Sequence, residues 1–431
     1  MAAAGASRES EEQHPGTALR PAALFAVAGA TIAVLTGIAG GRHLGYRWDD
    51  AFWYYRMAAG QTRTVAQPFA SRPLTPLLVR NLDLATHLGL NRSFFVVEIV
   101  SIALFAMGLC WMLVHLRARN GAIAAVCLLG FWAIAVSNYM LPDGLNALLL
   151  LIFIILLLQE RFLWAACMLL PLTISRESSV LVLLCFAVAV GRRASPRVLL
   201  TGVAGTVAGM GVVRILNPGG AGNRHGLGGL AYLVLKAPLN FSANILGIEP
   251  WTNTLQSVCT PAWSAPLGFH LGAISRIGLC SWQPISPLTV IGAYACEFGF
   301  LPALFLCACE WNGRKMWSTQ PPWLRFCLLY GTACLLLAPL LGSTIDRLVS
   351  YSWPLFVVAV PVLIKDCGER IPWAFVAATG AVSSWVFFLA EAGQHTGLLA
   401  VVTAGTLAAE AVLITRLRAL HGRATGVGIA E

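Results

Sequence analysis

Charge is what this chain has least of. Only 11% of its 431 residues are Asp, Glu, Lys or Arg, 58% are hydrophobic, and the mean hydropathy is +0.74. Soluble domains carry roughly a quarter charged residues, so this composition excludes a water-soluble fold and indicates a polytopic membrane protein. Other absences narrow the reading. The stretch MAAAGASRESEEQHPGTALR lacks the basic start of a secretory signal, and its small, polar, mixed-charge residues predict a disordered cytoplasmic tail over 1–20. No repeat of fixed period is visible, and the 12 cysteines show no zinc-type spacing. Most of them sit in apolar runs, where they act as small hydrophobes. Cys259 and Cys280 fall instead in a loop, where an oxidising compartment would permit a bridge. The formal charge of +10 is scattered over loops and not gathered on one soluble face, so nucleic acid is not an expected partner.

Long apolar runs are what the chain has instead. A membrane span needs roughly 20 mostly apolar residues, and about twelve windows qualify, with their limits at charges, Gly or Pro. They are 21–41, 94–116, 121–138, 144–159, 162–175, 178–191, 198–216, 287–309, 324–343, 353–365, 371–390 and 396–415. The expected fold is therefore all-α, a polytopic integral membrane bundle of about 12 transmembrane helices. It forms a single domain over 21–416, followed by a cytoplasmic tail at 417–431. One set of alternate short loops holds Arg117, Arg119, Arg161, Arg192, Arg193, Arg197, Arg314, Lys315, Arg325, Lys365 and Arg370, whereas the opposite short loops hold only Arg176 and Arg347. Short cytoplasmic loops collect positive charge, so both termini are predicted to be cytoplasmic. The exception lies between the first two windows, where Arg42, Arg47, Arg56, Arg63, Arg72, Arg80 and Arg92 accumulate; we read these as functional or interfacial.

The outer face then owns two long segments, 42–93 and 217–286. In the first, QPFASRPLTPLLVR is predicted to turn between Pro73 and Pro76, and LLVRNLDLATHLGL has the apolar spacing of an interfacial helix. The second begins NPGGAGNRHGLGG; it is too apolar for a free linker and too broken for a span, which suits a segment covering a site.

The polar residues at span ends gather on that outer face. Asp49, Asp50 and Arg72 lie between the first two windows, and Asp143 follows Pro142 in NYMLPDGLNALLL. Arg176 and Glu177 lie in TISRESSVLVLL, Arg224 and His225 after the seventh window, and Asp346 and Arg347 in STIDRLVSYSWPLF. Plainer roles exist for each. Asp143 suits a helix start, Arg176 with Glu177 a local ion pair, and Asp346 with Arg347 a cap and anchor. His225 has no second His or Cys at ligand spacing and reads as a loop histidine. Glu98, Glu297 and Glu410 are lone acids whose simplest role is pairing with a neighbouring helix. The adjacent carboxylates of YRWDDAFWYYRMAAG resist such readings best. Two like charges among aromatic rings hold a proton more tightly than solvated carboxylates do, which suits a general base.

An acidic pair just after the first span, then Tyr54 and Tyr55, then the run Arg72, Pro73, Leu74, Thr75, Pro76 resembles the C-fold (GT-C) membrane glycosyltransferases of bacteria. The Pro142–Asp143 and Arg176–Glu177 elements and the stretch from Arg347 to Pro354 are similar to elements of that family. The resemblance implies an inner-membrane, cell-envelope enzyme with interfacial helices in its first outer loop. It would move a sugar from a polyprenyl-phosphate carrier to a glycan or lipid acceptor outside, with inversion. Asp49 or Asp50 would be the base, with Asp50 favoured because it faces Tyr54 one helical turn on. Arg72, Arg176 and Arg347 are the candidates to meet the carrier phosphate, and Tyr54, Asp143, Glu177, Arg224, His225 and Asp346 complete the expected substrate surface. A divalent metal is left open, since some relatives use one. The segment 217–286 is expected to contact the acceptor. A lipid-linked polysaccharide polymerase or ligase is the nearer alternative. A secondary transporter is the further one, because no matched halves are visible.

Overall fold

The computed structural model describes residues 50–65, 69–118, 139–217, 286–313, 319–341, 345–365 and 371–425, together with short pieces between 237 and 261. It is a helical membrane protein. Among the described residues five helices are long and apolar enough to cross a bilayer: α3 (Leu90–His115), α7 (Pro196–Leu216), α10 (Pro322–Leu341), α13 (Trp373–Ala392) and α14 (Thr396–Thr425). The pair α8 (Pro287–Cys296) and α9 (Leu301–Asn312) is together as long and apolar as a span but is bent by 65° at the break between its helices, the form of a broken span or a re-entrant loop. Around the outside of the bundle, Leu200, Val207, Ile215, Val382 and Val401 are exposed. Such an apolar surface suits hydrocarbon and would be a liability in water. The first and third predicted spans, 21–41 and 121–138, lie outside the described residues.

Three expected spans are short helices: α4 (Asp143–Leu158), α5 (Phe162–Ser175) and α6 (Ser179–Val190), of 16, 14 and 12 residues. At 1.5 Å per residue α6 is only about 18 Å long, well below the roughly 30 Å hydrocarbon thickness. The window 353–365 is shorter still in α-helix: a π-helix over Pro354–Ala359 runs into α12 (Val360–Leu363). A short α11 (Ile345–Ser350) precedes it.

In lipid, helices associate through close contact of small residues more than through the hydrophobic effect. Here α7 lies along α5, and a Cβ on Gly209 would come within 2.7 Å of the Thr173 Cβ, so the two backbones meet only because position 209 lacks one. Gly299, at φ +52°, turns the chain between α8 and α9 and lies against the Gly380 backbone of α13. Aromatic rings fill the interior: Phe153 meets Phe186 and Phe326 at 5.5 and 5.0 Å, and Phe105 meets Trp353 at 4.8 Å.

Among the described residues two α-helices come before α3. α1 (Asp50–Ala58) is followed by α2 (Leu74–Thr86), which exposes Leu78 and Leu84 while burying Thr75, Pro76 and Val79. The expected amphipathic helix is thus present, but it starts three residues before the apolar pattern LLVRNLDLATHLGL. Pro73 is its N-cap and Pro76 lies in its first turn, where the missing N–H has no intrahelical acceptor to lose. The sequence 251–261 adds one antiparallel strand pair, Trp251–Asn253 with Cys259–Pro261. Cys280 lies outside the described residues.

Candidate active site

Five segments bring their polar side chains to one place. α1 supplies Asp50 at its first turn and Tyr54 one turn on, with Tyr54 fully buried. The loop before α2 supplies Arg72. Phe69 packs edge-on against Tyr54 at 5.8 Å, and Asn217, at the end of α7, donates its side-chain N–H to the Ala70 carbonyl at 2.6 Å. α4 supplies Asp143 at its first residue, the α5–α6 junction supplies Arg176 and Glu177, and α11 and the turn after it supply Arg347 and Tyr351.

Asp143 is the centre. Its Oδ1 accepts from Arg176 Nη1 at 2.6 Å and from the Tyr351 hydroxyl, and its Oδ2 accepts from Arg347 Nε at 2.9 Å. Arg347 Nη2 also lies 2.7 Å from Oδ2, but its N–H groups are not aimed at an acceptor, so this is an ion-pair contact that leaves hydrogen-bonding capacity unused. Arg347 Nη1 reaches on to Asp50 Oδ2 at 3.1 Å. The Arg176 guanidinium lies 4.0 Å from the centre of the Tyr351 ring. On the other side Arg72 holds Glu177 with both Nε, at 2.8 Å, and Nη2, and donates from Nη1 to the Tyr54 hydroxyl at 3.1 Å.

Three guanidiniums, Arg72, Arg176 and Arg347, therefore face three carboxylates, Asp50, Asp143 and Glu177. All three arginines and Asp143 are buried, which is tolerable only with such pairing. The Asp50 and Glu177 side chains remain 35% and 45% exposed, so the network opens to solvent at those two acids. Burial raises the Glu177 pKa and the paired Arg72 lowers it. With nearly half the side chain still exposed the pair prevails, and the carboxyl is held at about 2. Burial pushes the Tyr351 phenol up to about 12 against the pull of Arg176, so it remains a neutral donor to Asp143.

Several expected pairings are rearranged. Arg176 and Glu177 do not form a local pair; the Arg176 backbone is extended, at φ −162° and ψ 139°, and successive side chains on extended backbone point opposite ways. Each finds a distant partner instead. Asp50 and Tyr54 do share a helix, yet the Tyr54 hydroxyl meets Arg72 and the Asp50 carboxylate meets Arg347 instead of aromatic rings alone. Asp346 is buried but stands outside the network. Its carboxyl faces the N–H groups that open α11, including that of Arg347, as a helix-capping acid does, and burial raises its pKa. Asp49, Arg224 and His225 lie outside the described residues.

Tyr351 is the participant that the sequence reading passed over, although it stands four residues after Arg347, the spacing that puts two helical side chains on one face. Glu98 was expected to pair with a neighbouring helix. It is buried against the first turn of α4, where a Cβ on Gly144 would collide with its carboxyl, and neither of its oxygens makes a well-formed hydrogen bond, though the Gly144 N–H is near. Among the described residues no group of three or more His, Cys, Asp or Glu is arranged to hold a metal ion. No protein-family model, curated protein or solved structure matches the chain.

Proposed function

We propose that this chain is a membrane glycosyltransferase of the C-fold type, moving a sugar from a polyprenyl-phosphate carrier to a glycan or lipid acceptor on the extracytoplasmic face. The observation that carries this reading is the meeting of three guanidiniums and three carboxylates, from five separate segments, in an apolar helical bundle. Ionisable groups so placed mark a functional site by default, and clustered arginines suit a phosphate leaving group. The resemblance of the first loop to that family supplies the reaction class.

Arg347 and Asp50 form the reactive edge. Their contact, at 3.1 Å, is the longest of the ion pairs, and Asp50 is its solvent-facing member. A carrier phosphate that accepts from Arg347 Nη1 takes the place of Asp50 on that guanidinium. The Asp50 carboxylate then accepts the proton of the acceptor hydroxyl as the hydroxyl oxygen bonds to the anomeric carbon. The bond between that carbon and the phosphate oxygen breaks on the opposite face, which gives inversion, and Arg347 matches the charge left on polyprenyl phosphate. Asp143, Arg176 and Tyr351 keep Arg347 in place, and Arg72 with Glu177 closes the other wall.

The test uses the full chain in nanodiscs with a panel of polyprenyl-phosphate sugars and an envelope-lipid extract as acceptor, following free polyprenyl phosphate by mass spectrometry. At least one carrier should be consumed, with Arg347→Ala losing both carrier affinity and turnover. If the parent protein binds none of the carriers, or the variant binds them as the parent does, the reading is wrong.

A further inference from the structure

A second basic site lies apart from the ion network. The end of α1 and the turn after it form an open cleft of about 400 Å³ lined by Arg56, Gly60, Gln61, Thr62 and Arg63. Arg80, from α2, stands beside Gly60 on the wall of the cleft: a Cβ on Gly60 would lie 3.4 Å from Arg80 Nη1, and Gly60 itself has φ +85°, so both the backbone shape and the approach of that guanidinium depend on glycine here. Arg56 is oriented by a hydrogen bond from its Nε to Gln61 Oε1 at 2.9 Å and lies over the Phe52 ring at 5.2 Å. Among the described residues no carboxylate pairs with Arg56, Arg63 or Arg80, in contrast to the arginines of the ion network, each of which has one.

Two guanidiniums on the cleft and a third beside Gly60 on its wall, with no carboxylate paired to them among the described residues, make the cleft a place where an anion is attracted. Arginine forks fit the oxygens of phosphate in pairs. The cleft has the size of a small-ligand site, so it has room for a phosphodiester with part of an attached alcohol. The next helix, α2, exposes Leu78 and Leu84, which suits a helix lying at the membrane surface at headgroup level.

We propose that the Arg56–Arg63–Arg80 cleft is a phosphate-binding site, distinct from the Asp143-centred network, which takes the phosphate of an anionic lipid headgroup or of a soluble phosphate compound. It does not rest on the glycosyltransferase reading, because binding is measured without turnover.

The test uses the full-length protein in nanodiscs of neutral phosphatidylcholine. Inorganic pyrophosphate is titrated in one arm; in the other, phosphatidylglycerol is exchanged into the discs and the protein-associated lipid is counted by native mass spectrometry. The parent should bind at least one probe. The double variant Arg63→Gln, Arg80→Gln should weaken that binding by about tenfold or more, as expected for losing charge-assisted hydrogen bonds. Arg63→Lys, Arg80→Lys should keep part of it, with both variants unfolding at the parent temperature. Binding of pyrophosphate alone identifies a soluble source, and binding of phosphatidylglycerol alone identifies a lipid one. Failure of the parent to bind either, or equal binding by parent and Gln variant, overturns the proposal.

Discussion

Replacing Asp143 by Asn strikes the centre of the ion network with the least change of shape. The carboxylate is 5% exposed and is shared by Arg176, Arg347 and Tyr351. The amide keeps one acceptor but puts an NH₂ group against donors, and it leaves Arg176 with no carboxylate partner. Breaking a buried pair from one side costs about 3–5 kcal/mol, because the remaining charge stays buried. Losing the negative charge at the start of α4 adds about 0.3–1 kcal/mol. Glu177→Gln is the matched control: it too takes the carboxylate from a buried arginine, Arg72, but the Glu177 side chain is 45% exposed, so water reaches that side of the pair and limits the loss to about 1 kcal/mol. Equilibrium unfolding of both variants in nanodiscs reads the difference directly. Asp143→Asn should be less stable than Glu177→Gln by about 2–5 kcal/mol. Equal stabilities, or the reverse order, would show that Asp143 is not what holds the three segments together.

Tyr351→Phe should lose the hydroxyl's bond to Asp143 and the one it accepts from Arg176 Nη1, about 1–2 kcal/mol together, whereas Tyr351→Leu should lose about 1–2 kcal/mol more because the ring under Arg176 goes with it; thermal unfolding of the two separates these contributions. The pH dependence follows from Glu177. Its carboxyl is held at about 2 against an ordinary 4.5, so the stability it contributes is fully present above about 4.5 and is lost as pH falls toward 2. The stability gap between parent and Glu177→Gln should therefore stay flat over about pH 5–8 and shrink below about pH 4, and a gap that closes near neutrality would refute the pairing. Gly209→Val should push α7 off α5 through Thr173, destabilising by about 1–3 kcal/mol; parent-like unfolding would show that the two backbones are not in contact there.

The long helices were legible because a run of apolar residues fixes a span almost by itself. The windows 94–116 and 324–343 correspond to Leu90–His115 and Pro322–Leu341. Where tertiary contact decides, the sequence misled. The window 287–309 reads as one continuous span, yet the chain bends by 65° near Gly299, whose neighbour is Gly380 on a helix some eighty residues away. The window 396–415 extends as helix to Thr425, because Arg416 and Arg418 can follow the helix out of the apolar layer, where Arg418 pairs with Glu310. In the site, the residue types and their span-end positions were readable, but the partners were not. Arg72 pairs with Glu177 across 105 residues and Arg347 with Asp143 across 204. Local spacing favours neighbours such as Arg176 and Glu177, and only the packed bundle decides otherwise.

The measurement that bears most directly on the proposed reaction is the transfer rate of Asp50→Asn, beside Asp49→Asn, in nanodiscs supplied with a consumed carrier and acceptor. Asn retains the size of Asp50 and a hydrogen-bonding oxygen for Arg347, and it removes the proton acceptor at an exposed position. Turnover by Asp50→Asn should fall by roughly a hundredfold or more, with carrier affinity and unfolding temperature close to those of the parent. An Asp50→Asn protein that transfers sugar at the parent rate would contradict the assignment of Asp50 as the base.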